Sequence, residues 1–339
     1  MLDYCYLVNP YFTRSKFIEE MQAFFKTLVS EYPSGMGVNT KLASECWNVK
    51  QEYIVPGNGA AELIKALMEG LKGKVGVVRP TFEEYPNRLP EEMVETFVPQ
   101  NEEFRYNAED LIDYFGKNRV ETLLLINPDN PSGNFIPMDS VRELAEWTKA
   151  NGVRFVLDES FVDFSVDYEN NSCLKNELLE AYPNMCVMKS ISKSYGVPGL
   201  RLGILCSADT ELIACIKKQV SIWNINSFAE FFMQIYPKYR NDYKNACGQF
   251  IQAREDFETE LKKIPYIHVM PSQANYFFLE VLPPYTPMEL CTILLNKYNI
   301  LASACLAKKG IEPNRYMRVA VRNHGDNERF IGALKELIK

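Results

Sequence analysis

The chain has 339 residues, enough for about two domains and a sizeable buried core. Its 47% hydrophobic and 24% charged residues exclude a disordered or fibrous chain. With 37 basic against 44 acidic residues the net charge is −7, and the basic excess of a nucleic-acid or anionic-membrane binder is missing.

Short β-rich runs alternate with amphipathic stretches. The run YIVP (53–56) ends in Gly-Asn-Gly, and Leu63, Ile64, Leu67, Met68 and Leu71 then recur at helical spacing. KVGVVRP (74–80) predicts a strand stopped by Pro80. TLLLIN (122–127) predicts a strand buried on both faces. Asp139 is placed as the cap of a helix that runs to about Ala150 and stops at Asn151-Gly152. Strands follow at 154–159, 184–191 and 199–206. This alternation predicts an α/β fold with a mostly parallel sheet covered on both faces. Beyond residue 210 the texture changes to a long helical stretch over 227–263, broken at Pro237. Then come a β-rich segment over 268–281, a helix near 286–298, strands near 300–306 and 316–322, and a closing helix from Asn327. These make a smaller α+β unit. The expected division is an N-terminal segment (1–45) packing with the small domain, a large domain (46–245) and a small C-terminal domain (246–339).

His268 and His324 are the only histidines and form no ligand-spaced cluster, so no metal site is expected. No G-x-S-x-G elbow is present. The nine cysteines are scattered without a C-x-x-C pair and are read as reduced core residues of a cytoplasmic protein. No apolar run approaches the roughly 18–20 residues of a membrane span. The start MLDYCYLVNPYFTRSK lacks the pattern of a signal peptide and fits a chain beginning at a domain edge.

In parallel α/β sheets ligands bind at the carboxyl ends of the strands. There this sequence carries Gly57-Asn58-Gly59-Ala60-Ala61, Asn127 to Gly133, Asp158, and Ser190 to Gly196 with Arg201 beyond. Gly-Asn-Gly at a helix start offers backbone N–H groups and a positive dipole end, a phosphate cradle. A dinucleotide G-x-G-x-x-G reading is weakened by Glu62 in the sixth place. A lysine (Lys193), a strand-end carboxylate (Asp158), the cradle and Arg201 together suit pyridoxal 5′-phosphate. That cofactor needs an amine for its aldehyde, an anion for its ring nitrogen, and donors for its phosphate.

Eight segments in order carry a resemblance: YPSG (32–35), PGNGAAELI (56–64), RPTFEEY (79–85), NPDNPSGN (127–134), LDESFVDF (157–164), SISKSYGVPGLRLG (190–203), PSQANYFF (271–278) and RVAVRNHGDNERF (318–330). The chain resembles the fold-type-I, class I/II aminotransferases, and among them the histidinol-phosphate aminotransferases and threonine-phosphate decarboxylases. The resemblance implies a large domain built on a mostly parallel seven-stranded sheet. It implies that Lys193 condenses with the cofactor aldehyde and moves the substrate proton. Asp158 would pair with the ring nitrogen, Asn130 would donate to the phenolic oxygen, and Phe82 would stack on the ring. Gly59, Ala60, Ala61, Ser190, Ser192 and Arg201 would surround the phosphate, and Tyr32 would reach the phosphate of a second subunit in a homodimer. Arg318 would clamp the substrate carboxylate. Arg322, four residues on in the strand, points to the same face and is a second anion-binding candidate.

Two positions depart from the aminotransferase pattern. Phe161 stands where a tyrosine often bonds the phenolic oxygen, and Ala61 stands where an acidic residue is usual. Both lean toward the decarboxylases. The expected activity is transamination between an amino donor and a 2-oxo acid, on an amino acid or an amino-alcohol phosphate. The alternatives are a threonine-phosphate decarboxylase-like enzyme, or an aminotransferase-like domain of a larger fusion protein. A nicotinamide dehydrogenase is a further reading.

Overall fold

The computed structural model describes residues 1–13, 15–306 and 308–338. A seven-stranded sheet has the order Ile54–Asn58, Leu202–Cys206, Met185–Ser190, Arg154–Asp158, Thr122–Ile126, Val75–Val78 and Val94–Phe97. Leu202–Cys206 runs antiparallel to both its neighbours, and every other adjacent pair is parallel. The strands Thr122–Ile126 and Met185–Ser190 are buried at every position. Alternate residues serve opposite faces: Leu123, Leu125, Phe155 and Leu157 enter one core, and Leu124, Ile126, Val156 and Met188 the other. That double burial is why TLLLI reads as a continuous apolar run.

The register aligns the strand ends. Ile126 pairs with Asp158, Asp158 with Met188, Ser190 with Gly203, and Gly203 with Gly57. Asn127, Asp158, Ser190 and Asn58 therefore reach one rim.

A second, antiparallel sheet has the order Ser303–Ala304, Tyr316–Ala320, Tyr276–Val281 and Ile267–Val269. The helix Arg240–Leu261 joins the two units: Tyr243, Ala246 and Cys247 lie in the core of the large sheet, while Phe250, Phe257 and Leu261 lie in that of the small one. The N-terminal segment touches both. Leu2–Asp3 pairs with Ile300–Leu301, Tyr4 and Leu7 enter the small core, and Phe12 and Phe17 the large one.

Several local expectations shift. Pro137 holds the N-cap position of the helix Met138–Ala150, with Asp139 in its first turn, where a carboxylate faces the positive dipole end without bonding as a cap. The strand expected over 199–206 begins at Leu202, because a 3₁₀ turn over Pro198–Leu200 ends in Arg201 at φ 53°. The segment 300–306 splits into Ile300–Leu301 and Ser303–Ala304, which pair with different strands. The last helix starts three residues early, at His324, because the Asn323 side chain caps it. The break at Pro237 falls in a 3₁₀ turn, Tyr236–Tyr239. Seven cysteines are buried, Cys5 is half-buried and Cys215 is exposed; all nine are free. No helix among the described residues is long and apolar enough to cross a membrane.

Candidate active site

Asp158 ends its strand in full burial. Its Oδ1 accepts from the Ser160 N–H at 2.8 Å and its Oδ2 from the Tyr85 hydroxyl at 2.7 Å. Burial pushes its pKa up, and the donors at Ser160 and Tyr85 work against that shift. Lys193 sits in the short helical turn Ile191–Ser194 after the neighbouring strand. Beneath the turn, Ser194 Oγ donates to Asp163 Oδ2 at 2.8 Å, and Lys189 pairs with the same carboxylate at 2.7 Å. The turn is thereby fixed from inside the sheet. Burial lowers the pKa of the Lys193 amine, Arg318 lowers it further, and Asp158 opposes. A less basic amine is more often neutral, the form that attacks a carbonyl.

Lys193 and Asp158 line one cavity of about 140 Å³ with Ala60, Ala61, Phe82, Asn130, Phe161, Ser190, Ser192 and Arg201. The Phe161 ring lies 6.0 Å from Lys193 Nζ and packs edge-on against Tyr276. Gly59 begins the helix Gly59–Glu69 at φ +72°, and a Cβ there would stand 2.6 Å from Arg201 Nη2. The Asn58 side chain gives this helix no cap, so its first N–H groups remain available. The buried Ser192 Oγ has no partner among the described residues.

Asn130 faces two ways. Its Oδ1 accepts from Arg318 Nη1 at 3.0 Å, which leaves the amide NH₂ as a donor. Arg318 Nη2 donates to the Cys5 carbonyl at 3.3 Å, its Nε is buried without a partner among the described residues, and its guanidinium lies 5.6 Å from the Tyr276 ring centre. Tyr32 is not at this cavity: it is 80% exposed and lies against Trp223, with ring centres 4.7 Å apart. Arg322 does not join Arg318 either. The strand ends at Ala320, so the two-residue alternation no longer governs position 322. Its guanidinium bonds Asp326 Oδ2 and the Asp3 carbonyl, each at 2.8 Å.

The sequence reading missed Tyr85, Ser160 and Glu84. Glu84 and Ser160 line the cavity, and Ser160 Oγ also accepts from the Ser190 N–H at 3.0 Å. Tyr85 was in view in RPTFEEY, but an irregular turn has no period that says where its ring points.

An unpartnered hydroxyl at Ser192, the space at Gly59 beside Arg201, an amine and a buried carboxylate across one small cavity form a donor set that fits pyridoxal 5′-phosphate. Fold and site together define a pyridoxal-phosphate-dependent enzyme of the aminotransferase fold. The chain belongs to the family Aminotransferase class I and II, whose model matches residues 22–334. Pyridoxal 5′-phosphate is the cofactor of that family. The chain is 32% identical over 336 residues to the CMP-5′-(3-aminopropyl)phosphonate synthase of Streptomyces rubellomurinus, covering 99% of this chain but only 53% of that protein. The chain thus spans about half the length of this relative. It is 29% identical to the L-serine phosphate decarboxylase of Sulfurospirillum multivorans, covering 100% of this chain and 88% of the relative. The solved histidinol-phosphate aminotransferase of Clostridium acetobutylicum superposes with a TM-score of 0.87 at 26% identity, covering 99% of each chain.

Proposed function

We propose that this chain decarboxylates an amino acid bearing a distal phosphate or phosphonate, using Lys193 and Asp158 about a bound pyridoxal 5′-phosphate. When bound, the cofactor supplies an aldehyde that takes up the substrate amine and a cationic ring that draws electrons from Cα. The observation that carries the reading is the shared cavity of Lys193 and Asp158, with Arg318 bonded to Asn130 at its edge.

Asp158 holds a negative charge at the ring nitrogen, oriented by Tyr85 and Ser160. Gly59, Ala60, Ala61, Ser190, Ser192 and Arg201 would hold the phosphate, the Asn130 NH₂ would donate to the phenolic oxygen, Phe82 would stack on the ring, and Phe161 would line the phenolic side. Arg318 takes the substrate carboxylate in a planar fork. Once exchanged for the substrate amine, Lys193 is free to give a proton to Cα after CO₂ leaves. Phe161 and Ala61, with the similarity to the serine phosphate decarboxylase, favour carboxylate loss. A second reading, transamination, has the similarity to histidinol-phosphate aminotransferases behind it. There Lys193 removes the α-proton instead.

We assign the chain to the cytoplasm on its free, mostly buried cysteines, and to a homodimer in which the exposed Tyr32 reaches the partner's phosphate site. The half-length match to the synthase is consistent with work as one part of a longer protein.

The test is incubation of the purified holoprotein with O-phospho-L-serine, with CO₂ and amine measured beside 2-oxo product. CO₂ with phosphoethanolamine supports decarboxylation; a 2-oxo acid without CO₂ supports the second reading. Lys193→Ala abolishes either. Turnover by that variant at the parent rate removes Lys193 from the chemistry.

A further inference from the structure

Arg318 is one cation, and a substrate with a carboxylate and a phosphate presents two anions. Arg322 is held by Asp326 and cannot serve the second without losing that partner. The loop between the strands Ser303–Ala304 and Tyr316–Ala320 offers another cation. Its start is tied to the strand of Arg318: Ser303 lies opposite Arg318, and the Cys305 N–H donates to the Tyr316 carbonyl at 2.9 Å. Its far part is tied to the large domain. Gly310, at φ +88°, lies so near residues 79–80 that a Cβ would stand 2.9 Å from Arg79 Cβ, and Lys309 pairs with Glu91 at 3.1 Å.

Between these anchors Lys308 is half-buried, and its Nζ donates to the Thr81 carbonyl at 2.7 Å, one residue before the cavity-lining Phe82. Among the described residues no carboxylate lies within 4 Å of it, and its other two N–H donors have no acceptor. The nearby Asp129 carboxylate is already bonded by Ser132 Oγ at 2.7 Å and Thr81 Oγ1 at 3.2 Å. Burial lowers the pKa of the Lys308 ammonium and Arg318 lowers it further, while Cys305 and Asp129 oppose; a dianion bound beside it would favour the charged form.

We propose that Lys308 is the specificity-determining residue that binds the distal phosphate or phosphonate of the substrate, with Arg318 on the carboxylate. The proposal rests on the function put forward above and names the residue that selects its substrate class. The Thr81 carbonyl holds the ammonium in place, and its two remaining donors meet the phosphoryl oxygens. Charge-assisted bonds of this kind discriminate against a neutral analogue, because that analogue leaves the half-buried cation unmet.

The experiment is a spectral titration of the bound cofactor in the holoenzyme with phosphoethanolamine and ethanolamine, two amines that differ only in the phosphate. The wild type is expected to bind phosphoethanolamine more tightly by roughly ten- to a hundredfold. Lys308→Gln keeps a donor for Thr81 and removes only the charge. It is expected to abolish most of that preference while changing ethanolamine affinity less than about twofold. Lys308→Met, read in the same way, guards against a compensating bond from glutamine. A wild type without preference overturns the proposal, as does a variant that keeps the preference or weakens both amines equally. Absence of any spectral response to either amine overturns the enzymatic reading itself, and the proposal with it.

Discussion

The hydroxyl of Tyr85 donates to Oδ2 of Asp158 at 2.7 Å, with both side chains buried beneath the candidate cavity. A buried carboxylate resists ionisation, and each donor aimed at it favours the charged form. Tyr85 is therefore a positioning residue: it favours the anionic form of Asp158 against the effect of burial and fixes the carboxylate at the cavity. Tyr85→Phe preserves the ring and removes the donor. We expect it to destabilise the fold by about 1–2 kcal/mol and to move the acid limb of the pH–rate profile to higher pH. Urea unfolding and a pH–rate series measure both; an unmoved acid limb shows that Asp158 does not depend on this bond.

Asp129 lies fully buried in the loop after the strand Thr122–Ile126, and burial pushes its pKa up to about 6. The Ser132 and Thr81 hydroxyls and the nearby Lys308 oppose the rise. Because the folded value exceeds that of an unfolded aspartate, the folded state holds the proton more tightly. The stabilisation from protonation is complete below the unfolded pKa and is lost as pH rises through about 6. The span is about 3 kcal/mol. Asp129→Asn should then flatten the stability profile between pH 4 and 7 and gain about 1–2 kcal/mol at pH 8. Urea midpoints at pH 5 and pH 8 test this. A variant equally destabilised at both values shows that the carboxylate's bonds outweigh its desolvation.

Gly59 combines φ +72° with a close approach to Arg201. Gly59→Ala places a side chain in a conformation that costs roughly 1 kcal/mol or more and drives the methyl against the guanidinium. Cofactor affinity should fall by about tenfold or more, since Arg201 can no longer sit beside the helix start. Reconstitution of apoprotein with pyridoxal 5′-phosphate gives the dissociation constant directly; an unchanged constant separates Arg201 from phosphate binding.

Tyr32 and Trp223 lie together at the surface, 80% and 49% exposed, beside Ile222 at 79%, and on the adjoining helices Phe25–Ser30 and Ser227–Ile235 the rings of Phe25 and Phe228 lie 5.9 Å apart. Exposed aromatic surface of this kind suits a partner; in the homodimer proposed above that partner is a second copy of the chain. Trp223→Ser should raise the monomer fraction in sedimentation at micromolar concentration and weaken cofactor retention with it. A wild type that sediments as a monomer removes the composite site.

The strand Thr122–Ile126 of the large sheet was legible because both its faces are buried, so TLLLI reads as an apolar run whatever the surrounding fold. Strand ends are where such a sheet leaves its polar groups, and Lys193, Asp158, Asn130 and Arg201 could be named on that ground. The edge strand Val94–Phe97 was not legible: it is four half-buried residues with no apolar run to mark it. Neither were the helices of the first 47 residues, in which buried apolar positions such as Phe17, Ala43 and Cys46 are mixed with exposed ones such as Ile18, Phe25 and Val38.

The sequence by itself determined the polar rim and the class of cofactor, because those depend on residue types at strand ends. The tertiary structure alone decided which distant side chains turn toward that rim. It set Tyr85 against Asp158, drew Arg318 onto Asn130, withdrew Arg322 to Asp326, and brought Lys308 onto Thr81, 227 residues away in the chain. Tyr85, Asn130 and Lys308 each stand in an irregular segment, where no repeat in the sequence fixes direction and only the packed chain does.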